Sequence, residues 1–271
     1  SHLWIIPARH AEGKIPEMRR LTGGAFTLNV QYAGGFDWSP DGRKIVFTHT
    51  TGPSADSWTF ADISQADVET GAITPLVNSA AAEFSPFYSP DGRLVAYLCS
   101  ENPPSWDFTR DIHVVDADGA NPRPLSRTAD RNSAIAGWTA DSKSLLATEI
   151  QGAASCLFRI PVDGGAVKDL TSGTYQMGNV SLNNSREYLG FTLQDSDSPE
   201  EVFISTCGAF KPVKVSDLNS SLPKHPLGKT ETVRWKAGDG LEIEGLLTYP
   251  VGYEKGIKYP LLLIIHGGPM G

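Results

Sequence analysis

A stretch that recurs along the chain constrains its fold more than any other feature. Trp38-Ser39-Pro40-Asp41-Gly42-Arg43-Lys44-Ile45-Val46-Phe47 comes back almost unchanged as Tyr88-Ser89-Pro90-Asp91-Gly92-Arg93-Leu94-Val95-Ala96-Tyr97. Trp138-Thr139-Ala140-Asp141-Ser142-Lys143-Ser144-Leu145-Leu146 keeps the pattern without the proline and glycine, and Ser181-Leu182-Asn183-Asn184-Ser185-Arg186-Glu187-Tyr188-Leu189 is a weaker fourth copy. Asp41, Asp91 and Asp141 stand 50 residues apart, and Asn184 follows Asp141 by 43. Self-similarity at this period means an array of supersecondary units, each too small to bury its own apolar face alone.

The chemistry of the repeated stretch says what kind of unit. Proline presets φ at the first central position of a turn, aspartate suits the next, and glycine accepts the positive φ that lets two strands fold back with the right twist. Each copy is therefore a hairpin tip flanked by apolar and β-branched residues. Every unit then carries another strand and a second turn: Ile63 with Glu69-Thr70-Gly71, Val114 with Asp118-Gly119, Phe158 with Asp163-Gly164-Gly165, and Phe203 with Cys207-Gly208. A fourth strand is expected over residues 73–77, 123–125, 167–170 and 212–215. Four strands per unit of this length is the signature of a β-propeller blade. Four full units run 23–77, 78–126, 127–171 and 172–216. Residues 1–22 align with the last two strands of a fifth, partial one. An incomplete set of blades leaves apolar faces open at its two ends.

With 40% hydrophobic and 20% charged residues the chain has the composition of an ordinary globular protein able to bury a core. A formal charge of −8 argues against a nucleic-acid or anionic-membrane partner. No metal site or cofactor is expected, because Cys99, Cys156 and Cys207 form no CxxC or close Cys/His pairing and are read as buried reduced thiols. The connections at 51–58 and 101–111 lie where ligands meet a propeller, and they carry Trp58 and Trp106. Both tryptophans are read first as packing residues and second as substrate contacts.

From Asp217 the texture changes. Residues 217–229 break the repeat and contain Pro223 and Pro226, as a linker does. Two alternating strands around Gly238-Asp239-Gly240 predict a hairpin. Pro260-Leu261-Leu262-Leu263-Ile264-Ile265-His266-Gly267-Gly268-Pro269-Met270-Gly271 reads as a strand buried on both faces and followed by a glycine loop. In α/β-hydrolases such a His-Gly-Gly loop presents backbone N–H groups to the oxyanion of an acyl-transfer intermediate.

These residues together resemble the prolyl oligopeptidase family of serine peptidases, nearest its acylaminoacyl-peptidase and dipeptidyl-peptidase-like branches. The resemblance rests on the Ser-Pro-Asp-Gly-Arg tips, Asp217-Leu218-Asn219, Val233-Arg234-Trp235-Lys236, Asp239-Gly240-Leu241-Glu242-Ile243-Glu244-Gly245, Lys258-Tyr259-Pro260 and His266–Gly271. It implies a mainly β chain: blades from a propeller of seven or eight (residues 1–216), a linker, and the first strands of an α/β-hydrolase domain (residues 230–271). It also implies hydrolysis of short peptides. Gly268 and Gly267 would supply the oxyanion hole, and His266 would hold the loop rather than serve as triad base.

The Gly-x-Ser-x-Gly elbow of the family does not occur in these 271 residues. The serine nucleophile and its Asp and His are therefore expected beyond residue 271, and the chain alone should be inactive. Its partners would be short peptides and the rest of the catalytic domain, with a homo-oligomer compatible. A cytoplasmic setting is expected, with the periplasm the alternative. Glu200 and Glu201 form an adjacent acidic pair that could hold a substrate amine, although a solvated strand edge is the plainer reading. The rival classes are a TolB-like propeller that binds proteins without catalysis and an esterase of the hydrolase superfamily.

Overall fold

The computed structural model describes residues 2–9, 16–25, 27–30, 33–106, 109–171, 173–221 and 225–265. Among them are four consecutive four-stranded sheets, each an antiparallel meander in chain order. Blade 1 comprises Phe36–Trp38, Lys44–His49, Asp62–Asp67 and Ile73–Val77. Blade 2 comprises Glu83–Tyr88, Leu94–Ser100, Arg110–Asp116 and Arg123–Pro124, and blade 3 Ala134–Trp138, Ser144–Gln151, Ala154–Pro161 and Lys168–Asp169. Blade 4 comprises Gln176–Leu182, Tyr188–Gln194, Glu201–Thr206 and Val213–Lys214. Trp4–Ile5 pairs with Arg19–Arg20, the remnant expected of a partial unit. A two-residue pair, Asn29–Val30 with Ala33–Gly34, was not foreseen.

The hairpin tips show why the repeat has its residues. In blade 1 Ser39 Oγ donates to Asp41 Oδ1 at 2.6 Å, Arg43 N–H donates to the same oxygen at 3.0 Å, and Lys44 N–H donates to Ser39 Oγ at 2.9 Å. Gly42 occupies φ 71°. Ser89-Asp91-Gly92 repeats these bonds, and Thr139-Asp141-Ser142 does so with serine at φ 58° where the first two blades use glycine. The hydroxyl on each aspartate is the main reason all three carboxyls titrate below their ordinary value.

The fourth tip corrects the sequence alignment by one position. Asn183 N–H donates to Tyr188 C=O as Ser39 N–H does to Lys44 C=O, and the residue at positive φ is Arg186. Ser185, not Asn184, therefore stands where Asp141 does. Asn183 Oδ1 accepts from both Glu187 N–H (3.0 Å) and Tyr188 N–H (3.1 Å), so one asparagine does the work of serine and aspartate.

Period-two alternation sends the second strand of blade 1 to both sides. Ile45 and Phe47 pack with Leu21, Leu3 and Ile5 of the partial unit, while Val46 joins Ile63 against Tyr88, Val95 and Tyr97 of blade 2. Each fully buried side chain of this size stabilises by roughly 1.5–3 kcal/mol. Polar ties fix the stacking: Tyr88 N–H donates to Asp37 Oδ2 at 2.9 Å, Gln65 Nε2 to Ala117 C=O at 2.6 Å, and Trp138 Nε1 to Phe87 C=O at 3.0 Å.

The chain divides into two compact units, residues 1–146 with 160–167 and residues 147–159 with 168–271, and the division falls inside blade 3. In the second unit Leu189 and Phe191 are buried on one face of blade 4. On the other face Ile204, Val213 and Val215 are exposed.

The predicted hairpin forms between Thr230–Lys236 and Glu242–Thr248. Glu244 ties it to blade 3: its Oε1 accepts from Ala153 N–H at 3.0 Å, and Arg234 Nε donates to its Oε2 at 2.8 Å. Gly152, at φ 55°, allows this approach, because a Cβ there would meet Glu244 Oε1 at 2.2 Å.

One expectation is overturned. Residues 261–265 form no strand, and Leu261 through Ile265 are 70–83% exposed. A strand buried on both faces takes its ladder from neighbouring strands and its cover from helices, and the described residues supply neither around this run.

Candidate functional site

The third strand of each blade begins at the end of the sheet where the fourth strand leads the chain away, and side chains there can reach whatever follows. The blades align residue for residue at this point. Val68, Ala117, Val162 and Cys207 donate N–H bonds to the C=O of Arg43, Arg93, Lys143 and Glu187, which makes Asp62, Asp111, Cys156 and Glu201 equivalent six residues earlier. Three carboxylates and a thiol thus occupy one structural position.

In blade 2 the position is strongly charged. Asp111 is buried, and Arg131 grips it with Nε on Oδ1 at 3.1 Å and Nη2 on Oδ2 at 3.0 Å. Arg127 adds Nε and Nη2 on Oδ2 at 3.1 and 3.0 Å. Arg110, next in sequence, donates through Nε to Ser133 C=O at 3.1 Å. Arg131 holds its backbone at φ 51°, a conformation disfavoured for any residue with a Cβ. The Arg127 side chain is 61% exposed.

At the same end, blades 1 and 2 share a buried acid. Glu83 N–H donates to Ala61 C=O at 2.7 Å, Ser79 Oγ donates to Glu83 Oε1, and Oε2 has no hydrogen-bond partner among the described residues. Burial, reinforced by the charge of Asp62, lifts the Glu83 carboxyl to about 7. Burial also raises Asp62, Tyr97 and Cys99, the last to about 12, and lowers His49 and His113. Trp58 lies buried in a 3-10 turn, Ala55–Phe60, and meets the half-exposed Trp106 edge to face at 5.5 Å. This is the packing role expected of Trp58.

The predicted site residues fare differently. His266, Gly267 and Gly268 lie outside the described residues. Glu201 is buried, and its carboxylate is filled by the chain itself. Oε1 accepts from Asn219 N–H at 3.0 Å and Nδ2 at 3.2 Å; Oε2 accepts from Leu218 N–H at 3.1 Å and from Ser216 Oγ. These donors, led by the Ser216 hydroxyl, hold its pKa down at about 2. Glu201 thus anchors the start of the linker and has no lone pair left for a substrate amine. Glu200 is exposed, and its C=O accepts from Asn219 Nδ2 at 2.7 Å. An open cleft of about 480 Å³ lies beside them, lined by Tyr175, Leu193, Asp195, Asp197, Glu201 and Asn219.

All three cysteines are free thiols, with Cys99 and Cys207 buried and Cys156 half-buried. Among the described residues no three His, Cys, Asp or Glu side chains gather as metal ligands. Sequence reasoning passed over Glu83 and the Asp111 cluster. The signal available was Arg127-Thr128-Ala129-Asp130-Arg131, a charged run in a connection that needs only turn residues.

Searched against protein-family models, the chain matches none. Among curated proteins it is similar to the probable dipeptidyl-peptidase 5 of Emericella nidulans, 30% identical over 197 residues that cover 69% of this chain and 27% of that protein. The dipeptidyl-peptidase 5 of Arthroderma otae is 28% identical over 288 residues, covering 98% of this chain and 37% of its own. The chain spans about a third of the length of these relatives.

Solved structures give the same architecture. TolB from Acinetobacter baumannii superposes with TM-score 0.57 at 16% identity, covering 86% of this chain and 54% of its own. A puromycin hydrolase gives 0.57 at 16%, covering 84% and 35%. Four-stranded blades, their Ser-Pro-Asp-Gly-Arg tips and end-to-end likeness to dipeptidyl-peptidase 5 together make this chain a propeller-bearing segment of the prolyl oligopeptidase family.

Proposed function

We propose that this chain is the propeller, linker and oxyanion-loop portion of a serine peptidase that removes dipeptides from the amino ends of short peptides. The observation that carries the reading is likeness to dipeptidyl-peptidase 5 along 98% of the chain, beside a His266-Gly267-Gly268 sequence of the kind that forms an oxyanion loop. A serine beyond residue 271 would attack the scissile carbonyl, a downstream histidine would take its proton, and the Gly268 and Gly267 N–H groups would stabilise the oxyanion. His266 would hold that loop. One such donor contributes roughly 3–4 kcal/mol to the transition state, so Gly268→Pro in the complete enzyme should lower kcat about 100- to 1000-fold with KM little changed. An unchanged kcat would remove Gly268 from the mechanism.

Likeness to TolB favours a second reading, a protein-binding propeller without chemistry. An active-site organophosphonate separates the two. It should label one serine in a Gly-x-Ser-x-Gly elbow of the complete protein, and absence of labelling would favour the binding module.

A further inference from the structure

The position shared by Asp62, Asp111, Cys156 and Glu201 has a structural task, to tie the third strand to the chain leaving the fourth. Blade 4 does this with neutral donors alone, from Ser216, Leu218 and Asn219. Blade 3 does it with no charge at the position, where Leu157 N–H donates to Thr171 Oγ1 at 3.2 Å just as Val202 N–H donates to Ser216 Oγ at 2.8 Å. Architecture therefore asks for no arginine here. Blade 2 nevertheless brings two guanidiniums onto one buried carboxylate and sets Arg110 beside them.

The geometry also preorganises what it leaves exposed. A guanidinium has five N–H donors in a rigid fork. Arg127 directs Nε and Nη2 to Asp111 while most of its side chain faces solvent. Anchoring removes much of the rotamer entropy that weakens surface ion pairs. The remaining planar donors match a carboxylate, which accepts two parallel N–H bonds.

We propose that Arg127, held on Asp111 beside Arg131, is a binding position for a carboxylate of a peptide ligand, either its C-terminus or an acidic side chain. This extends the peptidase reading from bond cleavage to ligand choice, and it rests on that reading only in naming a peptide as the carrier.

The test titrates the complete protein, with its elbow serine replaced by alanine so that the peptides stay intact, by calorimetry or by NMR of the arginine Nε–H signals, in low and moderate salt. Ala-Ala-Ala is compared with its C-terminal amide, and acetyl-Ala-Glu-Ala-amide with its glutamine counterpart. One acid form should bind roughly three- to tenfold more tightly than its neutral partner, and the pair that shows the difference identifies the source of the carboxylate. Arg127→Gln should abolish the difference, and Arg127→Lys should restore part of it, with circular dichroism and melting temperature reporting that the fold survives. Equal affinity of acid and neutral forms for the protein with Arg127 intact would overturn the proposal, as would a difference that persists in Arg127→Gln. A carboxylate preference with no hydrolysis in the complete protein would sink the peptidase reading and leave this site standing; hydrolysis without the preference would do the reverse.

Discussion

Blades 2 and 4 put a carboxylate at the same structural position and treat it in opposite ways. Glu201 of blade 4 is enclosed by backbone N–H groups, a hydroxyl and an amide, a neutral shell that fixes where the chain departs toward the linker. Asp111 of blade 2 is enclosed by two arginines, one mostly in solvent. A fold needs the first arrangement and can be built without the second, as the thiol of Cys156 demonstrates. The comparison teaches that a repeat supplies its own control, since a residue that architecture does not require stands out against its equivalents in neighbouring blades.

The comparison can be broken most forcefully at its charged member. Asp111→Ala leaves two guanidiniums facing a void and should cost about 3 kcal/mol, the low end for one broken partner of a buried pair because Arg127 is already partly solvated. A denaturant midpoint shift no larger than that of a surface substitution would show that the cluster is not held as described.

Glu83 sharpens the contrast at the same end of the sheet. Its folded pKa of about 7 lies above the ordinary 4.5, so its stabilising contribution is complete below 4.5 and is lost as pH rises through about 7. Glu83→Gln should therefore match the parent chain at acid pH and exceed it by up to about 3 kcal/mol near pH 8.5. Parallel stability curves across that range would contradict the assignment.

Glu201 has the opposite sign and gives the smallest effect. Its pKa is held down at about 2 from an ordinary 4.5. Its contribution is present above 4.5 and lost as pH falls toward 2. Glu201→Gln keeps one acceptor oxygen, so its denaturation midpoint should fall less than that of Asp111→Ala, and its acid limb between 4.5 and 2 should flatten. A steeper acid limb would mean that the carboxylate is not the acceptor for the linker.

Much of this fold is legible because hairpin tips are local. Ser39, Asp41 and Gly42 carry their own hydrogen bonds within six residues, so pattern alone placed four blades. Where one residue does two jobs, as Asn183 does, the pattern slips by a position. Where structure depends on neighbours distant in sequence, it fails further. Residues 261–265 have the composition of a core strand, but composition cannot supply the strands and helices that would cover it. Glu201 looked like an available acid because its partners, Ser216, Leu218 and Asn219, lie across a hairpin. Arg127 and Arg131 were passed over for the same reason, since their common partner, Asp111, lies back in the third strand, with a turn and the fourth strand between them.

The central claim is that these blades serve hydrolysis rather than binding alone. Short peptides with free amino termini, incubated with the complete protein and followed by mass spectrometry, test it most directly. The account predicts successive release of dipeptides, abolished when the elbow serine is replaced by alanine. Peptides that bind yet remain intact, with or without that serine, would contradict it.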